Sequence, residues 1–184
     1  MSQFFSASLP IALAVHFLDT ITLPDDLSQH SEIIDVRSPS EYALDHIPGA
    51  INLPVLNDEE RVIVGTLHKT SPFEARRLGA SLISANASRI LREHLADKDM
   101  SYAPLLYCWR GGQRSRSLTH ILSSVGWKAK LLKGGYRAFR KLVVDELEEI
   151  LTESPLQLTV LSGLTGVGKT RLLHALTAEG AQVL

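Results

Sequence analysis

Short apolar runs along this chain alternate with longer stretches in which apolar side chains recur at three- and four-residue steps, and the two spacings predict different elements. Ile33-Ile34-Asp35-Val36, Leu105-Leu106-Tyr107 and Lys130-Leu131-Leu132 are too short for helices and read as strands; Ile51-Asn52-Leu53-Pro54 reads as another. Ser38-Pro39-Ser40-Glu41 predicts a helix start, with Ser38 as cap, Pro39 at the first helical position and Glu41 at the third. Residues 58–95 carry helical spacing through Leu78, Leu82, Ile83, Ile90, Leu91 and Leu95, and predict two helices broken near Thr70-Ser71-Pro72. Residues 114–124 predict a helix ended by Gly126. Residues 136–151, after the Gly134-Gly135 turn, predict a helix with an acidic end. Leu158-Thr159-Val160-Leu161 predicts a last buried strand, followed by a glycine-rich turn and a helix.

Strands alternating with helices imply an α/β fold, a parallel sheet flanked by helices. The expected first domain covers residues 15–151, with the helical insertion at about 58–95. Residues 152–156 form the expected linker, and residues 157–184 the first strand–loop–helix of a second α/β domain. A complete domain of that second kind needs several more strands, so only its opening is expected in this chain.

Composition narrows the picture. The 184 residues are 45% hydrophobic, which suits a globular core. The net charge of -1 gives no global field favouring nucleic acid, although Arg61, Arg76, Arg77, Arg89 and Arg92 fall in one stretch, as a local basic patch or a solvated helix face. A single cysteine excludes the disulfide-rich secreted class. Residues 9–18 are mostly apolar, but no Lys or Arg precedes them and the run is too short to cross a bilayer. They are expected to form a strand or turn at the domain edge of a cytoplasmic protein with no membrane partner.

The cysteine carries the first candidate chemistry. Cys108-Trp109-Arg110-Gly111-Gly112-Gln113-Arg114-Ser115 lies between an expected strand and an expected helix. Such a turn points backbone N–H groups inward, and the helix N-terminus adds partial positive charge. Both favour a thiolate, the reactive form of cysteine, and Arg110 and Arg114 are expected to add to that. Gly111 and Gly112 let the backbone curl around an anion. Cys108 is therefore the candidate nucleophile, and Trp109, Arg110, Gly111, Gly112, Gln113 and Arg114 the candidate anion-binding loop. The spacing Cys-x5-Arg-Ser also occurs in cysteine-dependent phosphatases. Against that alternative, Tyr107 precedes the cysteine where many such phosphatases have His, and no general-acid Asp is evident.

A second anion site is Gly163-Leu164-Thr165-Gly166-Val167-Gly168-Lys169-Thr170, which fits the P-loop pattern between an expected strand and helix. Backbone N–H groups, including those of Gly163, Gly166 and Gly168, would cradle a di- or triphosphate. Lys169 would meet the outer phosphate charge and Thr170 would hold Mg²⁺. No other metal site is expected.

Three separated motifs carry a resemblance. Ile34-Asp35-Val36-Arg37-Ser38-Pro39 with Glu41-Tyr42 and His46-Ile47-Pro48-Gly49-Ala50, then the Cys108 loop, then Leu132-Lys133-Gly134-Gly135-Tyr136, look like the rhodanese landmarks in order, over roughly residues 15–145. Rhodaneses carry sulfur as a persulfide on the loop cysteine. The loop here is one residue longer than in common single-domain rhodaneses, room enough for a phosphate-sized anion. A rhodanese domain followed directly by a P-loop resembles the tRNA 2-selenouridine synthase family, which also has a helical insertion between the rhodanese halves. The resemblance implies conversion of wobble 2-thiouridine in tRNA to 2-selenouridine. It implies selenophosphate as selenium donor, an S-geranylated intermediate made from geranyl diphosphate, and a selanyl-cysteine on the residue corresponding to Cys108. A generic rhodanese sulfurtransferase is the alternative within the same fold.

Overall fold

The computed structural model describes residues 18–23, 27–153, 159–181 and 183. The chain separates into two compact units, Met1–Asp145 and Glu146–Leu184. In the first unit, strands β1 (Thr20–Ile21), β2 (Glu32–Asp35), β3 (Ile51–Asn52), β4 (Pro104–Tyr107) and β5 (Lys130–Leu132) form one sheet. Its order is β1-β5-β4-β2-β3 and every pairing is parallel. Ile34 pairs with Leu106 on one side and Ile51 on the other, so the expected strands 33–36, 51–54, 105–107 and 130–132 all join the sheet. β1 has only two residues, too few for a hydrophobic period, and its strand character comes from its partner β5.

The helices are α1 (Pro39–Leu44), α2 (Asp58–Thr70), α3 (Pro72–Glu93), α4 (Gln113–Val125), α5 (Gly135–Glu153) and α6 (Lys169–Ala178). The start of α1 forms as its sequence predicts: Pro39 is the first helical residue, and the Glu41 carboxylate accepts the Ser38 N–H at 3.2 Å. Ser71 both ends α2 and caps α3, so the expected break is a single residue followed by Pro72. Gly126 ends α4 at φ 107°, a left-handed conformation that favours glycine.

Side chains of β4 alternate between two cores. Leu106, with Cys108 beyond the strand, packs with Ile34, Val55, Ile83, Ile90 and Leu118 under α3 and α4. Leu105 and Tyr107 face the other way, onto Ile47, Leu132 and Tyr136, with Tyr42 and Phe139 at the edge. The residues of α3 that bury completely are Ala75, Gly79, Ile83, Ala87 and Ile90. Leu78, Leu82 and Leu91, prominent in the sequence pattern, are only half-buried. Small residues let the insertion sit close, and hydrophobicity alone does not register them.

Two expectations change. Thr152 and Glu153, placed in the linker by sequence, belong to α5; Ser154 and Pro155 lie outside the described residues, as do residues 9–17 of the expected N-terminal element. In the second unit, Thr159, Val160 and Leu161 form no strand, and Leu158 lies outside the described residues. A strand is defined by its ladder, and no described segment pairs with this one.

The buried pair Asp35–Arg37 locks the C-terminal end of β2. Arg37 Nε donates to both Asp35 carboxylate oxygens at 3.0 and 2.9 Å, and Nη2 donates to Oδ2 at 2.6 Å and to the Asp45 carbonyl at 2.7 Å. The guanidinium lies 4.2 Å from the Tyr136 ring centre. Burial works against its charge, but the Asp35 hydrogen bonds and charge outweigh that, and its pKa is raised. Arg37→Ala leaves a buried carboxylate unpaired and is expected to cost about 3–5 kcal/mol. Chemical denaturation followed by circular dichroism measures this; unchanged stability would remove the pair from its structural role.

Candidate active site

Cys108 is the first residue beyond the C-terminal end of the central strand β4, where parallel sheets place their ligands. The residue is almost fully buried. The Gly112 N–H donates to Sγ at 3.2 Å and the Ser115 hydroxyl at 3.1 Å. Gly112 caps α4, so the sulfur also lies at the positive end of that helix. Two directed donors and a helix terminus meet on one atom.

The loop is held from behind by the start of α5. The N–H groups of Tyr136 and Arg137, which a helix start leaves without partners, donate to the carbonyls of Cys108 at 2.9 Å and Trp109 at 3.0 Å. This closeness requires glycine. Gly135 has φ 59°, and a Cβ there would lie 2.1 Å from the Cys108 carbonyl oxygen. Gly111 has φ 65°, and its Cβ would lie 2.8 Å from the Leu132 carbonyl oxygen. The cysteine loop and the Gly134-Gly135 turn therefore form one interlocked unit.

The structure divides the candidate loop. Cys108, Gly111 and Gly112 come together. Gln113 opens α4 and is exposed. Arg110 is exposed, and Trp109, 40% exposed, leans on Tyr136 with ring centres 5.6 Å apart. Arg114 differs from expectation: its guanidinium donates to the two Glu41 oxygens at 2.5 and 3.2 Å instead of to the sulfur. A carboxylate presents two acceptors to the guanidinium fork and outcompetes a single sulfur. Ser115 and Arg116 were not singled out by sequence. Ser115 supplies a donor to Sγ, and Arg116 Nε fixes the Gly111 carbonyl at 3.1 Å. Ser115 stands in the Cys-x5-Arg-Ser pattern, one turn into the helix, and that position was its signal.

Charges around the site are committed. Burial raises the Glu41 pKa, but Arg114, the Ser38 N–H and Arg61 outweigh it, and the carboxyl sits below its ordinary value. Asp45 accepts the Tyr136 hydroxyl, which with the His46 N–H, Arg140 and Arg37 holds its carboxyl low against slight desolvation. Burial beside Asp35 pushes the Tyr107 phenol up. The insertion contributes a cavity of about 520 Å³ that shares Gln113 and Arg114 with the loop and is lined also by Leu56, Arg61, Val64 and Ile83.

In the second unit, α6 begins at Lys169 after Gly168, and Gly166 and Gly168 take left-handed φ of 87° and 86°. The Lys169 ammonium donates to the carbonyls of Gly163 and Leu164, both at 2.8 Å. Val160, Leu164 and Val167 are exposed.

A model of the rhodanese-like domain matches residues 22–142. The chain belongs to the rhodanese-like family. It is 38% identical to a tRNA 2-selenouridine synthase of Nitrosomonas europaea over 144 residues, covering 77% of this chain and 37% of that protein. It is 41% identical to one from a Sulfurovum species over 150 residues, covering 80% and 40%. The chain thus spans about two fifths of the length of the curated relatives it matches. Among solved structures, the N-terminal domain of a Clostridium difficile 630 protein described as ATP/GTP binding superposes with a TM-score of 0.62 at 36% identity, covering 68% of this chain and 99% of that one. Within this rhodanese-like chain, no helix among the described residues is long and apolar enough to cross a membrane.

Two outcomes follow from the geometry. Ser115→Ala removes one of the two donors to Sγ and should slow iodoacetamide alkylation of Cys108 at neutral pH several-fold, with the melting temperature little changed. An unaltered rate would show that the hydroxyl does not activate the sulfur. The Glu41–Arg114 pair has its own pH signature. Because the folded-state pKa of Glu41 is lowered, the pair stabilises the fold above the ordinary carboxylate value, and that stability is lost as pH falls through the folded value. Glu41→Gln should therefore melt lower than wild type at neutral pH, and the gap should narrow in acid; a gap independent of pH would refute it.

Proposed function

We propose that this chain is the chalcogen-transfer part of a tRNA 2-selenouridine synthase, with Cys108 as the sulfur or selenium carrier. The observation that carries the reading is the Cys108 sulfur itself, held at a helix N-terminus by Gly112 N–H and Ser115 Oγ, in a chain matching curated synthases over most of its length. A thiolate here attacks the outer sulfur of a donor such as thiosulfate. An S–S bond forms, the donor's own S–S bond breaks, and sulfite leaves with the electron pair. The persulfide anion produced is stabilised by the same donors as the thiolate.

In the whole synthase the proposed reaction replaces the sulfur of wobble 2-thiouridine, S-geranylated by geranyl diphosphate with loss of diphosphate, by selenium from selenophosphate. The selanyl-cysteine on Cys108 would form when that selenide-level selenium attacks the inner sulfur of the Cys108 persulfide. An S–Se bond replaces the S–S bond, sulfide leaves, and the Se–P bond passes to water as phosphate. The P-loop residues Gly163, Gly166, Gly168, Lys169 and Thr170 are the proposed diphosphate cradle. Lys169 now binds the loop's own carbonyls, and a phosphate would take over that contact. Thr170 is the residue that would hold Mg²⁺, which would offset phosphate charge. A phosphatase is the weaker reading. It needs a carboxylic acid free to protonate a leaving group, whereas Asp35 is locked onto Arg37 and Asp45 receives the Tyr136 hydroxyl.

Incubation with thiosulfate should add one sulfur to Cys108 by intact mass, selenophosphate added to that persulfide should exchange the sulfur for one selenium, and Cys108→Ser should abolish both adducts. Rapid aryl phosphate hydrolysis that needs Cys108, without an adduct, would establish the phosphatase instead. For the P-loop, calorimetry with geranyl diphosphate on a polypeptide of the relatives' full length should show binding that Lys169→Ala abolishes; equal binding by both would discard that cradle.

A further inference from the structure

The cysteine loop has an outer face that the transfer chemistry does not use. Trp109 leaves 40% of its surface exposed immediately after the nucleophile, braced from one side by Tyr136 at 5.6 Å between ring centres. A groove of about 360 Å³ runs from it between Arg110 and the first turns of α5, lined by Trp109, Arg110, Arg137, Arg140, Lys141 and Val144. Four of these six residues are cationic. Arg140 lies 3.7 Å from Asp45, while Arg110, Arg137 and Lys141 make no salt bridge among the described residues. The basic stretch noted in the sequence is different: Arg77 pairs with Glu74 and Arg89 with Glu93 along α3, and Arg61 faces Glu41.

We infer that this groove is a docking surface for single-stranded RNA, with one unstacked base on Trp109 and the flanking phosphates along Arg110, Arg137 and Lys141. The inference rests on the proposed tRNA-modifying role and adds to it the face that receives the RNA. An exposed aromatic ring interleaved with cations is the combination that binds single strands: every base has a face to stack, and every phosphate a charge to neutralise. The position is also mechanistically apt. Trp109 is bonded to Cys108, and the Trp109 carbonyl is fixed by the Arg137 N–H at 3.0 Å, so loop and basic helix move as one body. A base stacked there rests on the residue that directly follows the nucleophile in the chain. An acidic protein surface would meet the same cations but would have no use for the aromatic ring.

The test uses the 184-residue chain and a fluorescein-labelled oligouridylate of about ten nucleotides, a length within single-strand site sizes, with affinity read by anisotropy at several salt concentrations. The variant Arg137→Glu/Lys141→Glu is compared with Arg92→Glu/Lys128→Glu, which changes net charge equally at exposed positions outside the groove. Wild type should bind with an affinity that falls with salt, and the groove variant should bind at least tenfold more weakly with a shallower salt dependence, while the control stays within about twofold. Both variants should still load one sulfur on Cys108 from thiosulfate by intact mass, which separates failure of the surface from failure of the transfer reading. Should the charge reversals not fold, Arg137→Gln/Lys141→Gln should weaken binding in the same direction. No RNA binding by wild type at low salt, equal weakening by both charge pairs, or no weakening by the groove pair would each overturn the surface.

Discussion

The buried Asp35–Arg37 pair is the constraint on which the rest of the site depends. A guanidinium with 2% of its surface exposed can persist only if its charge is answered. Asp35 accepts from Nε and Nη2, the Asp45 carbonyl accepts from Nη2, and the rings of Tyr107 and Tyr136 lie against the guanidinium. These partners come from β2, the segment after α1, the end of β4 and the start of α5. One side chain thereby fixes the relative position of the four chain segments that meet around the cysteine.

The surroundings of the Cys108 sulfur are a consequence of that fixation. The loop has few side chains of its own to hold it, since two of its residues are glycines. It is shaped by backbone bonds from α5 behind and by Gly112 and Ser115 in front. The space between loop and α5 is so small that Gly135 admits no side chain. The Arg114–Glu41 pair then ties the first turn of α4 to α1. Arg114 is thus a brace for the loop, and the donors that reach the sulfur, the Gly112 N–H and the Ser115 hydroxyl, are neutral.

Hydrophobic and polar spacing by itself determined the strands that begin at about 33, 51, 105 and 130 and the helix starts at Pro39 and after Ser71, and the glycine-rich turn after an apolar strand singled out Cys108 as the candidate nucleophile. These are local statements. A β-branched run, a capping sequence or a glycine turn after an apolar strand carries its physical cause within a few residues. The likeness to tRNA 2-selenouridine synthases was legible for the same reason, because its motifs are short and ordered along the chain.

Only the tertiary structure decided which groups meet. Arg114 and Glu41 are 73 residues apart in sequence and 2.5 Å apart in space, so spacing along the chain could assign the arginine to the sulfur and not to its carboxylate. Ser115 gained its role from the turn of α4 that aims its hydroxyl at Cys108, and β1 exists only through its pairing with β5. Residues 159–161 make the complementary point. Their apolar sequence suits a strand, yet a strand needs a neighbour to accept its backbone hydrogen bonds, and no described segment supplies one. Sequence sets what each segment is able to form; long-range partners, whose identity no local pattern encodes, decide which of those possibilities is realised.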